Sequence, residues 1–463
     1  MTGAPRRVLL VLPSAMMARN WLSTDVAALL GRDRALEVTV VTPDVNDRAA
    51  AEAAGLSWEP LLRPKAMSTF ERLRFVGGYL LQMLLVHRFN AMAGFRGARE
   101  RLRQSWPLRR IAIREGLPAS RCFGFPLPRS HALYWMLSAL YRSGWQRQRA
   151  AESLFDRLRP DLMVLGHIQT HFTMAYALAA KARSVPTIGM VGSWDQPTTK
   201  GPIHPGIDRY IVQGQRVADE LNRYHGIAPS AVEAVGWVQM DPYHKPDHMT
   251  SRDAVLSDLG LPAGARYVLF GAYPERLGRH EPALCADIAS RLASSDCTLV
   301  VRCHPIDQDW RARFSALHHP PHVVILPPEL GDLKRLAGQV RHAEMVLSSA
   351  GTILLDAVAL DTPAIAIAFE DESEPYFDRI ARRYDMEHWA SLLKTGGMPM
   401  ARDIEELMTV MRETLENRGR DAEGRVRLVT DYLAPLDGAA GRRIAAAISS
   451  AASASARCRT AAS

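Results

Sequence analysis

Cysteine is scarce in this sequence, and the five present (Cys122, Cys285, Cys297, Cys303 and Cys458) form no CxxC pair and no His-flanked zinc spacing. That argues against a disulfide framework or structural zinc and points to a reducing compartment. Long apolar runs are also missing. The run near the start, Val8–Leu12, is five residues and stops at Pro13, whereas a secretory signal needs roughly 7–15. It reads as a first buried strand. The stretch around Tyr79–Val86 falls far short of the roughly 20 residues of a spanning helix. A soluble, cytoplasmic protein is expected. Two nucleotide loops are absent as well. The turn after the first apolar run reads LPSAMMARNW, without GxGxxG, and no GxxxxGK[ST] occurs. The first half therefore lacks a dinucleotide fingerprint, and an NTPase reading is weakened.

What is present is ordinary globular material: 463 residues, 47 % apolar and 23 % charged, too long for one core and so expected to form two domains. Charge is uneven. Arg63–Arg121 holds thirteen Lys and Arg against Glu71, Glu100 and Glu115, while the whole chain carries a net charge of +8. Phe70, Phe75, Tyr79, Phe89, Phe95 and Trp106 lie among these charges. Basic residues mixed with large apolar ones suit an anionic lipid surface, although a solvated helical face has the same composition. No helix-turn-helix, finger or RNP-like motif accompanies the charge, so nucleic acid is not the expected partner.

Two series of short apolar runs alternate with helical patterns. The first is Val8–Leu12, Val38–Val41, Leu162–Leu165, Thr187–Val191 and Tyr210–Val212; the second is Tyr267–Phe270, Thr298–Val301, Val323–Leu326, Met345–Leu347 and Ala364–Phe369. This predicts an α/β protein of two tandem doubly wound, Rossmann-like domains facing a cleft, with parallel sheets covered on both faces. Pro242 and Pro246 mark a linker near Asp241–Thr250. The expected domains are residues 1–245, with a basic helical insertion over about 63–158, and residues 246–445. An Ala/Ser tail over 446–463 is expected to be disordered.

Chemistry gathers where strands end, since ligands of open α/β sheets bind there. In VVRCHPID, Arg302 offers a phosphate-binding fork, His304 a hydrogen-bond donor or acid, and Pro305 a rigid exit. In MVLSSAGTILLD, Ser348, Ser349, Gly351 and Thr352 precede a helix, which suits an anion. The plainer alternatives are a turn histidine and an N-cap serine. After the next strand come Glu370, Asp371 and Glu372, acceptors for sugar hydroxyls or a solvated acidic loop. In the first half, SWDQPTTKG holds Asp195, a candidate base, and Lys200, a candidate phosphate partner; His167 in LMVLGHIQTH is a second base candidate.

Taken together, SWDQPTTKG, DRYIVQGQRVADELNRYHGI, VEAVGWVQMDPY, VVRCHPID, SSAGTILLDAVALDTPAIAI and DGAAGRRIA resemble the bacterial GT-B glycosyltransferase superfamily. The likeness is to the branch of CDP-glycerol glycerophosphotransferases and surface-polysaccharide glycosyltransferases, and it covers about Leu162–Ile444. GT-B sialyltransferases similarly use an HP motif and a Ser-rich motif for the donor phosphate. The resemblance implies that His304, Ser348 and Ser349 meet the donor phosphates, with Asp195 and Lys200 at the cleft. It also implies a reaction without metal or resident cofactor. SWDQPTTKG departs from the WHGTP-like segment of glycerophosphotransferases, which favours a sugar as the transferred group. The expected activity is sugar transfer from a nucleotide-sugar to a glycan or lipid-linked acceptor of the cell envelope, with a peripheral place on the inner face of the plasma membrane as the expectation for a membrane-docked form. A UDP-sugar 2-epimerase, a CDP-glycerol-type glycerophosphotransferase and a non-catalytic nucleotide-sugar-binding protein are the alternatives.

Overall fold

The computed structural model describes residues 4–62, 136, 148–199, 203–245, 248, 250–275, 277–293, 295–317, 322–370, 380–384 and 386–460. The basic segment Arg63–Arg121 and Lys200 lie outside these residues. The chain forms two compact units, one made up to Val238 and again from Ala439, the other from Gln239–Gly438.

The first unit is built on a seven-stranded sheet in the order β3-β2-β1-β4-β5-β6-β7, with β1 Arg6–Val11, β2 Leu36–Thr42, β3 Ser57–Pro60, β4 Leu162–Leu165, β5 Thr187–Met190, β6 Arg209–Val212 and β7 Val232–Ala234. All its pairings are parallel. Along β1, Val8 and Leu10 enter one buried cluster and Leu9 and Val11 another. Helices therefore cover both faces, which is why the strands read as unbroken apolar runs.

The second unit has a six-stranded parallel sheet in the order β10-β9-β8-β11-β12-β13. Its strands are β8 Arg266–Gly271, β9 Cys297–Arg302, β10 Val323–Leu326, β11 Met345–Ser348, β12 Ala364–Ile367 and β13 Met400–Ala401. In both sheets the strand order reverses beside the first strand, between β1 and β4 and between β8 and β11. Loops leaving adjacent strands at such a point diverge and leave a crevice at the carboxyl edge.

The sequence missed β3, β7 and β13. Each is a short outer strand whose residues are mostly half-buried or exposed and include polar side chains or an isolated apolar pair, so none carries an apolar run. Strand β12 stops at Ile367, where its pairing with β13 ends, rather than at Phe369.

The expected disordered tail is corrected. Ala440–Thr460 is one helix, and its Ile444, Ile448, Ala451 and Ala452 are buried with Trp21, Val26 and Leu30 in the core of the first unit. Alanine is the strongest helix former, and residues 444, 448 and 452 fall on one face. Arg443 Nε donates to the Val235 carbonyl at 2.7 Å and Ser449 Oγ donates to Asp33 at 2.7 Å. The chain thus leaves the first unit after Val238, and the residues expected as linker open the second unit with a 3-10 turn, Val238–His244. Among the described residues no helix is long and apolar enough to cross a membrane.

Truncating a fully buried aliphatic side chain costs about 2–5 kcal/mol. Ile448→Ala should therefore lower the unfolding free energy of the first unit, from urea titration, by an amount in that range, with a lower midpoint, while Ser453→Ala, at an exposed position of the same helix, should change it by under about 0.5 kcal/mol. Equal midpoints for Ile448→Ala and the unaltered chain would mean that the helix does not complete the core.

Candidate functional site

The second sheet reverses between β8 and β11, and the two strands end in register at Gly271 and Ser348. Ser348 is fully buried, and its Oγ donates to the Gly271 carbonyl at 2.6 Å. That hydroxyl fastens the two strand ends together instead of facing a ligand. A side chain at Gly271 would put its Cβ 2.5 Å from Ile353 Cγ2, so glycine is what lets the helix Ile353–Ala359 start this close to the strand. Ala350 then turns the chain in the left-handed region, φ 68°, a conformation an alanine holds only at a cost of order 1 kcal/mol. A Cβ on Gly351 would lie 2.5 Å from Ser348 Oγ. Thr352 is exposed at the start of the helix and makes no side-chain cap.

Arg302 closes β9 but is buried, and its fork is already engaged. Nη1 donates to Gln339 Oε1 at 2.6 Å, and Nη2 lies 3.7 Å from the Glu329 carboxylate. It serves as a strut between β9 and the helix Leu333–Arg341, which corrects the expected phosphate fork. His304, two residues on, is oriented differently. Its Nδ1 accepts from the Ile306 N–H at 3.3 Å, which assigns the ring proton to Nε2. Burial lowers its pKa, with Asp307 opposing and Arg313 adding to the shift. The ring is a neutral donor at ordinary pH. Glu370, after β12, accepts from the Ile380 N–H at 2.7 Å and so holds the returning chain.

The sequence reading missed a buried charge cluster under this edge. Glu281 opens the helix Glu281–Leu292 and is fully buried; both its oxygens accept from the Tyr273 N–H, at 3.1 and 2.9 Å. Arg313 Nη2 donates to Glu281 at 2.8 Å and to the Gly278 carbonyl at 2.6 Å, while Nη1 donates to the Tyr273 carbonyl at 2.8 Å and to Asp307. Asp307 in turn accepts from the Glu275 N–H at 2.9 Å. One guanidinium thus serves two carboxylates. Burial pushes the Glu281 carboxyl up to about 8, against the pull of Arg313, the Tyr273 N–H and the Ser349 hydroxyl.

In the first unit, His167 follows β4 and Asp195 follows the adjacent β5, so both stand at one sheet edge. His167 Nδ1 accepts from the Gln169 N–H at 3.1 Å, and its carbonyl accepts from Thr173 Oγ1 at 2.7 Å. Asp195 accepts from Ser193 Oγ at 2.5 Å, and Gln196 pins the same loop by accepting from the Gly192 N–H at 2.9 Å. Among the described residues, no three His, Cys, Asp or Glu side chains are grouped to hold a metal ion.

No family model matches the sequence, and no curated protein does. Solved structures do match in shape. A putative UDP-N-acetylglucosamine 2-epimerase from Listeria monocytogenes is 14 % identical with a TM-score of 0.57, over 96 % of each chain. The UDP-GlcNAc 2-epimerase from Neisseria meningitidis, solved with UDP-GlcNAc bound, is 12 % identical with a TM-score of 0.53, over 96 % of this chain and 99 % of its own. A glycosyltransferase from Rickettsia africae is 10 % identical with a TM-score of 0.50, over 96 % and 98 %. At such identities the likeness shows the fold: two Rossmann-like domains in tandem, of the GT-B type.

Glu281 generates a pH dependence of stability. Its pKa is raised from 4.5 to about 8 in the folded chain, so across that window the folded state keeps a proton that the unfolded chain releases. Its contribution is full below pH 4.5 and is lost as pH rises toward about 8. Urea titrations across that window should show the second unit weakening with pH, and Glu281→Gln should flatten the decline. An unaltered slope in the variant would assign the pH dependence elsewhere.

Proposed function

We propose that this chain is a glycosyltransferase that moves a sugar from a nucleotide-sugar, without a metal ion, to a glycan or lipid-linked acceptor of the cell envelope. The observation that carries the reading is the carboxyl edge of the second sheet. There the neutral Nε2–H donor of His304 and the small-residue turn Ser349–Thr352 end strands on the two sides of β8. A departing nucleoside diphosphate gains negative charge as the glycosidic bond breaks, and fixed donors aimed at that charge are the largest catalytic contribution available to such a site. The solved GT-B neighbours, one of them holding UDP-GlcNAc, support a UDP-sugar as the first donor to test.

In this reading the first unit supplies the base. His167 accepts a backbone N–H at Nδ1, so its proton rests on Nε2 and its outer nitrogen cannot take another without a change of tautomer. Asp195 carries a carboxylate steadied by Ser193, and it is the assigned base for the acceptor hydroxyl. Lys200 would neutralise phosphate charge. A UDP-sugar 2-epimerase is the second reading, supported by the fold shared with the Listeria and Neisseria enzymes.

A panel of radiolabelled nucleotide-sugars with the full chain, in the presence of a chelator, separates these. Glycosyl transfer or slow donor hydrolysis is expected, with His304→Ala lowering turnover roughly 10²–10⁴-fold. Asp195→Asn should lose turnover with donor affinity kept. Interconversion of 2-epimers without acceptor would establish the second reading, and strict dependence on added magnesium or manganese would overturn the metal-free one.

The basic segment Arg63–Arg121 is assigned to docking on anionic lipid, which would bring the enzyme to a lipid-linked acceptor. Headgroup attraction is screened over about 8 Å at physiological salt. Co-sedimentation with anionic vesicles should therefore fall steeply with salt, and Arg99, Arg101 and Arg103 all changed to Ser should weaken it while sparing donor hydrolysis. Equal partition onto neutral vesicles would sink the assignment.

A further inference from the structure

With Arg302 engaged as a strut, the residues named so far at the second sheet's edge supply donors to a diphosphate but no guanidinium facing it. A second arginine stands at the same edge. Tyr273 lies two residues beyond the end of β8, and Arg383 Cζ sits 4.2 Å from the centroid of its ring. The next residue, Tyr384, is buried and donates to the Ser348 carbonyl at 3.3 Å. Arg383 is therefore tied both to the loop leaving β8 and to the turn leaving β11, the two sides of the switch point.

Arg383 Nη1 and His280 Nε2 belong to the polar atoms at this edge that are buried without a hydrogen bond among the described residues. A buried donor without a partner is costly, and more so when it is charged. The cost is removed when a ligand oxygen meets them. His280 is the residue immediately before the helix Glu281–Leu292, whose amino end adds partial positive charge. Burial, and then the two guanidinium groups of Arg313 and Arg383, hold the His280 pKa down to about 4. Two cations press on one neutral imidazole, and among the described residues Arg313 is paired with two carboxylates while Arg383 makes no ion pair.

We propose that Arg383, seated on the Tyr273 ring, and His280 together hold a phosphate of the nucleoside diphosphate at the β8–β11 switch point. This rests on the nucleotide-sugar reading above and names the cation that the reading needs. The planar fork suits two phosphate oxygens at once, and the aromatic face holds the guanidinium in plane without consuming its N–H groups.

Calorimetric titration of the full chain with UDP, UMP and inorganic pyrophosphate tests it. The unaltered protein should bind UDP more tightly than UMP. Arg383→Gln should weaken UDP roughly 10–100-fold, as loss of a charge-assisted bond does, and should remove most of the preference over UMP. Arg383→Lys keeps the charge but loses the fork and the stacking, and should recover part of the affinity. Arg412→Gln removes an exposed cation elsewhere in the unit and should leave binding unchanged. Thermal unfolding alongside distinguishes a lost contact from a lost fold, and if Arg383→Gln fails to fold, Arg383→Lys and His280→Gln decide the matter. UDP bound equally by the unaltered chain and by folded Arg383 variants overturns this assignment and leaves the nucleotide reading standing. Pyrophosphate bound and lost in the variants, with no UDP binding, keeps the anion pocket and overturns the nucleotide. No binding of any of the three probes by the unaltered chain overturns both.

Discussion

Arg313 reaches four groups at once beneath the second sheet: the Glu281 and Asp307 carboxylates and the Tyr273 and Gly278 carbonyls. Its side chain is 5 % exposed, and those of its two acids are 0 % and 5 % exposed. Three ionised groups without solvent would leave one uncompensated negative charge, which a low-dielectric interior tolerates badly. The raised pKa of Glu281 is the relief: a proton held there restores neutrality. The geometry of the edge follows from this clamp. The loop from Tyr273 to Glu281 is fixed by its carbonyls and by the Tyr273 N–H, so the ring under Arg383 has a set position. Asp307 anchors the turn beyond His304 through the same guanidinium and through the Glu275 N–H. Replacing Asp307 would force the Glu281 carboxyl to ionise as the partner of Arg313, and replacing Arg313 would leave the Asp307 carboxylate buried without its cation.

The two sheets share a topology but present different chemistry at their carboxyl edges. Beside β4 and β5 the first offers Asp195, a proton acceptor held by a neighbouring hydroxyl. Beside β8, β9 and β11 the second offers donors and a stacked guanidinium. The first edge thus presents a carboxylate and the second hydrogen-bond donors and a guanidinium, the two kinds of group that the proposed transfer calls for.

How much of this could be read from the residues depends on the range of the interaction. Central parallel strands are buried on both faces, so Leu162–Leu165 appears in the sequence with the bounds it has in the fold. The outer strands Ser57–Pro60, Val232–Ala234 and Met400–Ala401 are mostly half-buried or exposed and so carry no apolar run. His304 and the Ser348–Thr352 turn were legible because each is a local signal at a strand end. What their atoms do was not: Ser348 Oγ turns inward to Gly271, seventy-seven residues away in sequence. Arg302 points to Gln339 for the same reason, since a sequence gives residue types at a strand end but not the direction of a hydrogen bond. Glu281, Arg313 and Arg383 stand on separate helices, and their burial is created only when those helices pack. The Ala/Ser tail is a different case. Low complexity and high helix propensity describe the same residues, and only the face formed by Ile444 and Ile448 decides between them.

That closing helix has a consequence for how the protein is made. The first unit is interrupted: its sheet is encoded before Val238, and a helix of its core is encoded after Gly438. Between them lies the whole of the second unit, whose two ends meet, a Cβ on Gly438 falling 3.0 Å from His244 Cβ. During synthesis the second unit is therefore complete while the first still exposes the apolar groove that Ile444 and Ile448 will fill. The order in which the two units are completed inverts the order in which they begin. The unit translated first is the later to close, and until then it is the part of the nascent protein that a chaperone would have reason to hold.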